Sequence, residues 1–135
     1  MQDTIISKGN LSLQILQEIF SNAYIDFKEE DGELLVKDPY KVYVMPDPSG
    51  RFIRFLLLIK LDPKAGELKQ LKAVNQMNSE YLMFQNSMSD GVLYIRYYFW
   101  TEGGVTPKGI VSALKFFSTA VGDVIGDLSK LNVIV

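Results

Sequence analysis

Tyr94, Arg96, Tyr98 and Trp100 stand two residues apart in one short run and carry side chains well suited to holding a partner. If Val92–Trp100 is a β-strand, that spacing puts them on one face, with Leu93, Ile95, Tyr97 and Phe99 on the other. Aromatic rings supply large apolar contacts, and arginine adds charge-directed hydrogen bonds and cation–π attraction. A second run, Phe52–Leu61, repeats the pattern. Its odd positions Ile53, Phe55, Leu57, Ile59 and Leu61 are all apolar, while Phe52, Arg54, Leu56, Leu58 and Lys60 are mixed. Such a face recognises by burial and breaks no bond. Its candidate contact residues are Arg54, Leu56, Tyr94, Arg96, Tyr98 and Trp100, and the expected occupant is a second copy of the chain or a protein client. Two readings compete: plain cross-strand packing under a loop or the C-terminal tail, and a small-molecule or nucleotide ligand on the same face. Base stacking on RNA is a third use of such residues. It is disfavoured by the net charge of -2 and by the lack of a Lys/Arg-Gly-aromatic-Gly-aromatic run.

Reacting groups are scarce. The chain has no Cys and no His, so thiolate catalysis, disulfides, zinc-thiolate sites and a serine–histidine triad are all ruled out. The acidic stretch Glu29-Glu30-Asp31-Gly32-Glu33 lacks the ligand spacing of a calcium loop and reads as a solvated hairpin turn. Gly103 and Gly104 precede a helix start, but with no phosphate-binding glycine pattern a turn and a cap account for them. Ser118, Gly122 and Gly126 form a small-residue ridge at four-residue spacing, read as close packing within the fold. No catalytic residue, cofactor or metal is therefore expected, and the chain reads as a non-enzyme.

The elements that must position this face follow from periodicity and caps. Helical spacing predicts a helix over about Leu11–Ala23, capped by Asn10, with Leu11, Ile15, Ile19 and Ala23 inward. Strands are expected at Tyr24–Lys28, at Tyr40–Met45 before the loop Pro46–Gly50, and at Phe52–Leu61, while Leu34–Val36 after the Asp31-Gly32 turn either extends the first hairpin or belongs to a longer strand interrupted at Pro39. A second helix is expected over Gly66–Met77, with Leu68, Leu71, Val74 or Asn75, and Asn78 as its stripe. A hairpin follows, Leu82–Met88 and Val92–Trp100 about Ser89-Asp90-Gly91. Thr106 then caps a long helix with Pro107 at its first position and Ile110, Leu114, Phe117, Val121, Val124 or Ile125, and Leu128 inward. The order is α-β-β-β-α-β-β-α, with one more strand before the second helix an open alternative. Helices on one face of a largely antiparallel sheet make this an α+β two-layer sandwich.

At 135 residues and 47% hydrophobic content the chain is expected to form one domain, residues 1–135, with its own core. Met1-Gln-Asp-Thr4 carries no basic, apolar leader, and no window approaches 18 unbroken apolar residues, so the expected setting is cytoplasmic, away from membranes. A removed organelle transit peptide would leave no trace. The apolar tail Leu131–Val135 is expected to dock on its own sheet, with another subunit as the alternative.

The run Leu71-Lys-Ala-Val-Asn-Gln-Met-Asn78, the Asp90-Gly91 turn, the strand Val92-Leu-Tyr-Ile-Arg96, and Gly103-Gly-Val-Thr-Pro107 leading into Leu114-Lys-Phe-Phe117 resemble the YbjN-like family. The fold of that family is similar to the class I type III secretion chaperones. The resemblance covers a little under half of the chain, and Met77 departs from it by standing where a Trp is common. It implies an α+β sandwich, frequent homodimers, and a role in binding or regulation. It supplies no catalytic residue.

Overall fold

The computed structural model describes residues 4–37 and 39–135; residues 1–3, on which part of the reading of the N-terminus rests, lie outside them. The elements are α1 (Leu13–Asn22), β1 (Lys28–Glu30), β2 (Glu33–Lys37), β3 (Lys41–Pro46), β4 (Phe52–Lys60), α2 (Glu67–Glu80), β5 (Gln85–Ser89), β6 (Val92–Trp100) and α3 (Pro107–Lys130), with a 3-10 turn at Pro63–Ala65. The strands form one antiparallel sheet of order β1-β2-β3-β4-β6-β5. Among the described residues four strands precede α2 where the sequence order has three, because the Asp31-Gly32 turn separates two short strands. The α+β class stands. By compactness the chain divides into Met1–Phe55 with Tyr98–Ser118, and Leu56–Tyr97 with Thr119–Val135. β4, β6 and α3 each run from one unit into the other.

In the first unit, Ser12 opens α1: its hydroxyl accepts from the Ile15 N–H at 3.1 Å. Asn10, expected in that role, instead ties the preceding turn, accepting from the Ser7 N–H and donating to the Ile5 carbonyl. Two good capping residues lie close together, and with Asn10 engaged in the preceding turn Ser12 takes the cap. Leu16, Ile19 and Phe20 bury the inward face of α1. The strand expected at Tyr24–Lys28 begins only at Lys28. Tyr24 sits at φ 59° with its N–H bonded to the Ser21 carbonyl, so the chain is still reversing out of the helix there. Leu34, Val36, Val42 and Val44 are buried, and the β2–β3 register sets Leu34 against Val44 and Val36 against Val42. In β3 alternation sends one side inward, whereas in β2 Leu35 on the other side is buried as well. Thr106 caps α3 by accepting from the Gly109 N–H at 2.9 Å.

In the second unit, Val124 and Leu128 of α3 are fully buried, continuing the stripe of Ile110, Phe117 and Val121. At 24 residues α3 is long and apolar enough to cross a membrane, but that stripe is spent on the protein's own core. The small-residue ridge is not a close-packed seam at Gly126, where an added Cβ would meet nothing within 4 Å. The inward face of α2 is Gln70, Ala73, Val74 and Met77, whereas Leu68 and Leu71, expected in its core stripe, are 67% and 46% exposed. Asn78 is exposed as well and turns towards β5. Met77, where the resemblance leads one to expect a Trp, is fully buried. β5 starts at Gln85, later than expected, because a turn closed by the Phe84 N–H on the Tyr81 carbonyl takes the residues before it. The tail docks in cis: the Asp62 N–H donates to the Val133 carbonyl at 2.8 Å, and Val133 is fully buried.

Tyr81 fastens the end of α2 to α3 by donating its hydroxyl to the Asp127 carboxylate at 2.5 Å. That hydrogen bond, then desolvation and the charges of Asp127, Asp123 and Glu80, push its pKa up from 10.0 to about 12. A phenol harder to ionise when folded contributes in full below its unfolded pKa. That contribution is lost as pH climbs through the folded value of about 12.

Candidate functional site

The sequence-predicted residues fall in two places. Arg54, Tyr98 and Trp100 lie in the first unit; Leu56, Tyr94 and Arg96 lie in the second. In both strands the even positions are the more accessible set, as alternation requires: Tyr98 and Trp100 are 44% and 58% exposed, while Leu93, Ile95 and Tyr97 are buried. Leu56 is the exception among the six, since it is buried.

The first-unit patch is built around Arg54. Its guanidinium pairs with the Glu33 carboxylate, and its Nη2 also lies 3.9 Å from the Met45 sulfur. Both charged side chains are only about a quarter exposed, 27% and 25%. Arg54 Nε is buried with no hydrogen-bond partner among the described residues. The Tyr98 ring meets the Phe52 ring edge-on, centroids 5.3 Å apart at 87°. Met45, Pro46, Asp47, Phe52, Arg54 and Tyr98 line a shallow cleft of about 200 Å³. One wall is the loop after β3, where the Asp47 carboxylate accepts from the Ser49 N–H and hydroxyl. Trp100 ends the strand beyond it.

Glu33 is the residue that sequence reasoning misplaced. It belongs to β2 and holds the arginine, rather than standing in a solvated acidic turn. The signal lay in the sheet register, which brings together residues 21 positions apart. Glu33→Ala should destabilise the fold by about 1–2 kcal/mol, between the values for exposed pairs and for buried ones. The double variant Glu33→Leu/Arg54→Met should recover most of that loss in urea denaturation. Equal losses in the single and double variants would show that the unpaired guanidinium costs nothing.

In the second unit the Arg96 guanidinium lies 5.0 Å from the centre of the Tyr94 ring and donates to Ser87 Oγ at 2.8 Å. This arginine is already committed on both sides, to a ring and to a neighbouring strand. Burial lifts the phenol pKa of Tyr97, which lies on the inward side of the same strand.

A family model named YbjN, described as "Putative bacterial sensory transduction regulator", matches residues 12–128. The chain belongs to the YbjN family. The YbjN match covers α1 through most of α3, and so takes in every element that frames the patch. Among solved structures, "Crystal structure of YbjN, a putative transcription regulator from E. coli" is similar with a TM-score of 0.78. It is 15% identical, over 93% of this chain and 96% of that one. "Structure of the HopA1-SchA Chaperone-Effector Complex" is similar with a TM-score of 0.53 at 9% identity, over 76% of this chain and 83% of that one. At these identities the two structures speak for the YbjN fold alone. No curated protein matches the sequence.

Proposed function

We propose that this YbjN-family chain is a non-enzymatic, cytoplasmic protein-binding domain. In this reading Met45, Phe52, Arg54, Tyr98 and Trp100 form the contact patch, holding a second copy of the chain or a client segment. The observation that carries the reading is the pairing of two solvent-facing aromatics, Tyr98 and Trp100, with an arginine already held in place by Glu33. Aromatic residues and arginine are the types enriched at interface centres. The family description as a regulator, and the fold shared with a chaperone–effector complex, support binding over catalysis. Tyr94 and Arg96 offer a smaller patch of the same composition in the second unit, and Leu56 adds to the packing beneath such contacts.

The small-molecule alternative fits less well. A cleft of about 200 Å³ falls below the usual size of ligand pockets, roughly 300–1,000 Å³. Its one cation is answered by Glu33, with Asp47 nearby, so a nucleotide phosphate would meet two carboxylates.

Light scattering on the eluting protein tests the reading. The wild-type chain is expected at twice its own mass, and Tyr98→Ala/Trp100→Ala at one chain mass. Each aromatic anchor is worth roughly 2 kcal/mol, or about thirtyfold in Kd. A folded double variant that keeps the wild-type mass and its captured partners would remove the patch from consideration.

A further inference from the structure

Asn78, the last residue of the Asn75-Gln-Met-Asn78 run, has a task that the contact patch does not explain. β5 is the outermost strand beyond β6, so one of its sides faces no other strand. Its pairing with β6 sets Ser87 against Tyr94 and Asn86 against Ile95. Hydrogen bonding to a neighbour alternates along an antiparallel strand, so every second residue points its N–H and C=O to the outside. Asn86 is one of these, and Asn78 answers both of its groups. The Asn86 N–H donates to Asn78 Oδ1 at 2.7 Å, and Asn78 Nδ2 donates to the Asn86 carbonyl at 2.9 Å. A side-chain amide has the same donor and acceptor as a peptide unit, so Asn78 does here what one residue of a seventh strand would do. The Asn86 side chain, 4% exposed, adds a third bond from its Nδ2 to Asn78 Oδ1 at 3.2 Å.

Just before β5 the Phe84 N–H, the next outward donor, is engaged too, donating to the Tyr81 carbonyl at 3.1 Å. An incoming strand needs outward N–H and C=O groups at every second residue. With Asn86 and the Phe84 N–H taken, Met88, beside the Asp90-Gly91 turn, is the outward position of β5 left without such a bond among the described residues. One step is too little to seat a strand. The composition of β5 makes this closure matter: Gln85-Asn-Ser-Met-Ser89 carries no charge and no proline, the two features that ordinarily keep an edge from pairing. At the other end of the strand order β1, Lys28-Glu-Glu30, is short and charged and each of its residues is exposed, so charge guards that edge.

We infer that Asn78 is a plug on the outer edge of β5, closing that edge to strand addition by a second copy of the chain. The inference stands apart from the aromatic patch and concerns a different element. Hydrogen exchange followed by NMR on the full chain tests it without any substitution. The Asn86 amide should exchange as slowly as that of Ser87, which faces β6, although Asn86 points off the sheet. Exchange of Asn86 at the rate of a solvent-facing amide would overturn the inference. In Asn78→Ala the Asn86 amide should exchange about tenfold faster, the usual worth of one such bond. That variant should also form species larger than the wild-type chain forms. The growth should persist when Tyr98→Ala/Trp100→Ala is added, which separates it from association through the patch. Asn78→Asp, which keeps the acceptor and loses the donor, should fold and associate to an intermediate extent, and it decides the matter if the alanine variant does not fold. A variant in which the Asn86 amide opens while the mass stays that of the wild type would reduce Asn78 to a local cap and end the plug assignment.

Discussion

Phe117→Ala should lower the unfolding free energy by about 3–5 kcal/mol, the range for emptying a buried aromatic position. Phe117 is fully buried, and its ring lies 6.1 Å from that of Phe55 at an interplanar angle of 38°. Neither residue can move far to refill the space. Phe117 is held midway along α3, between the Thr106 cap and the turns that follow, and Phe55 sits within the nine-residue strand β4. A domain stable by roughly 5–15 kcal/mol would lose from about a fifth up to the whole of its margin. The consequence reaches the candidate site through one peptide bond, since Phe55 faces inward and its neighbour Arg54 faces the other way. Urea denaturation gives the size, with Phe117→Leu as the milder control at under 1.5 kcal/mol. A loss below about 1 kcal/mol for the alanine variant would mean that the helix slides to close the cavity. The anchoring of β4 by this ring pair would then be wrong.

How far the fold could be read in advance depended on where each pattern was complete. α3 and β6 were legible because their signals are internal to the element. Pro107 follows a capping threonine, six stripe positions recur at helical spacing, and Val92–Trp100 alternates from end to end. α2 was not, because apolar residues mark a face only when the helix has enough of them. With Gln70 and Ala73 turned inward, the two leucines Leu68 and Leu71 gave the wrong face. The inward side is set by contact with β5, which no local count contains. The same holds for the candidate site. Tyr98 and Trp100 announce themselves by type and spacing. Glu33 does not, because its partner Arg54 is brought to it by β3 lying between their strands. Asn78 enters the sequence reading as a member of the α2 stripe, yet its two bonds go to the backbone of another element, where composition is silent.

Gly50→Ala should cost about 2–4 kcal/mol, combining left-handed backbone strain with a steric overlap. Gly50 is buried at φ 75°, and a Cβ built there would stand 2.7 Å from the Lys8 carbonyl oxygen. That contact is with backbone, so no side-chain rotation relieves it. The loop around it is also pinned. The Gly50 N–H donates to the Asp47 carbonyl at 2.8 Å, and the Gly50 carbonyl accepts from the buried Thr101 hydroxyl at 3.2 Å. Gly32 supplies the comparison, having φ 81° and nothing within 4 Å of its own added Cβ. Gly32→Ala therefore carries the backbone term alone, about 1–2 kcal/mol. The difference between the two variants isolates the overlap with Lys8. Equal losses would show that the Lys8 carbonyl yields, and that the loop is looser than its hydrogen bonds suggest. A clear excess at Gly50 has a functional corollary, because Pro46 and Asp47 at the start of this loop form one wall of the aromatic cleft. A loop forced off Lys8 must shift that wall. The Gly50 variant should then weaken partner binding while Tyr98 and Trp100 remain in place, and Gly32→Ala should leave binding unchanged.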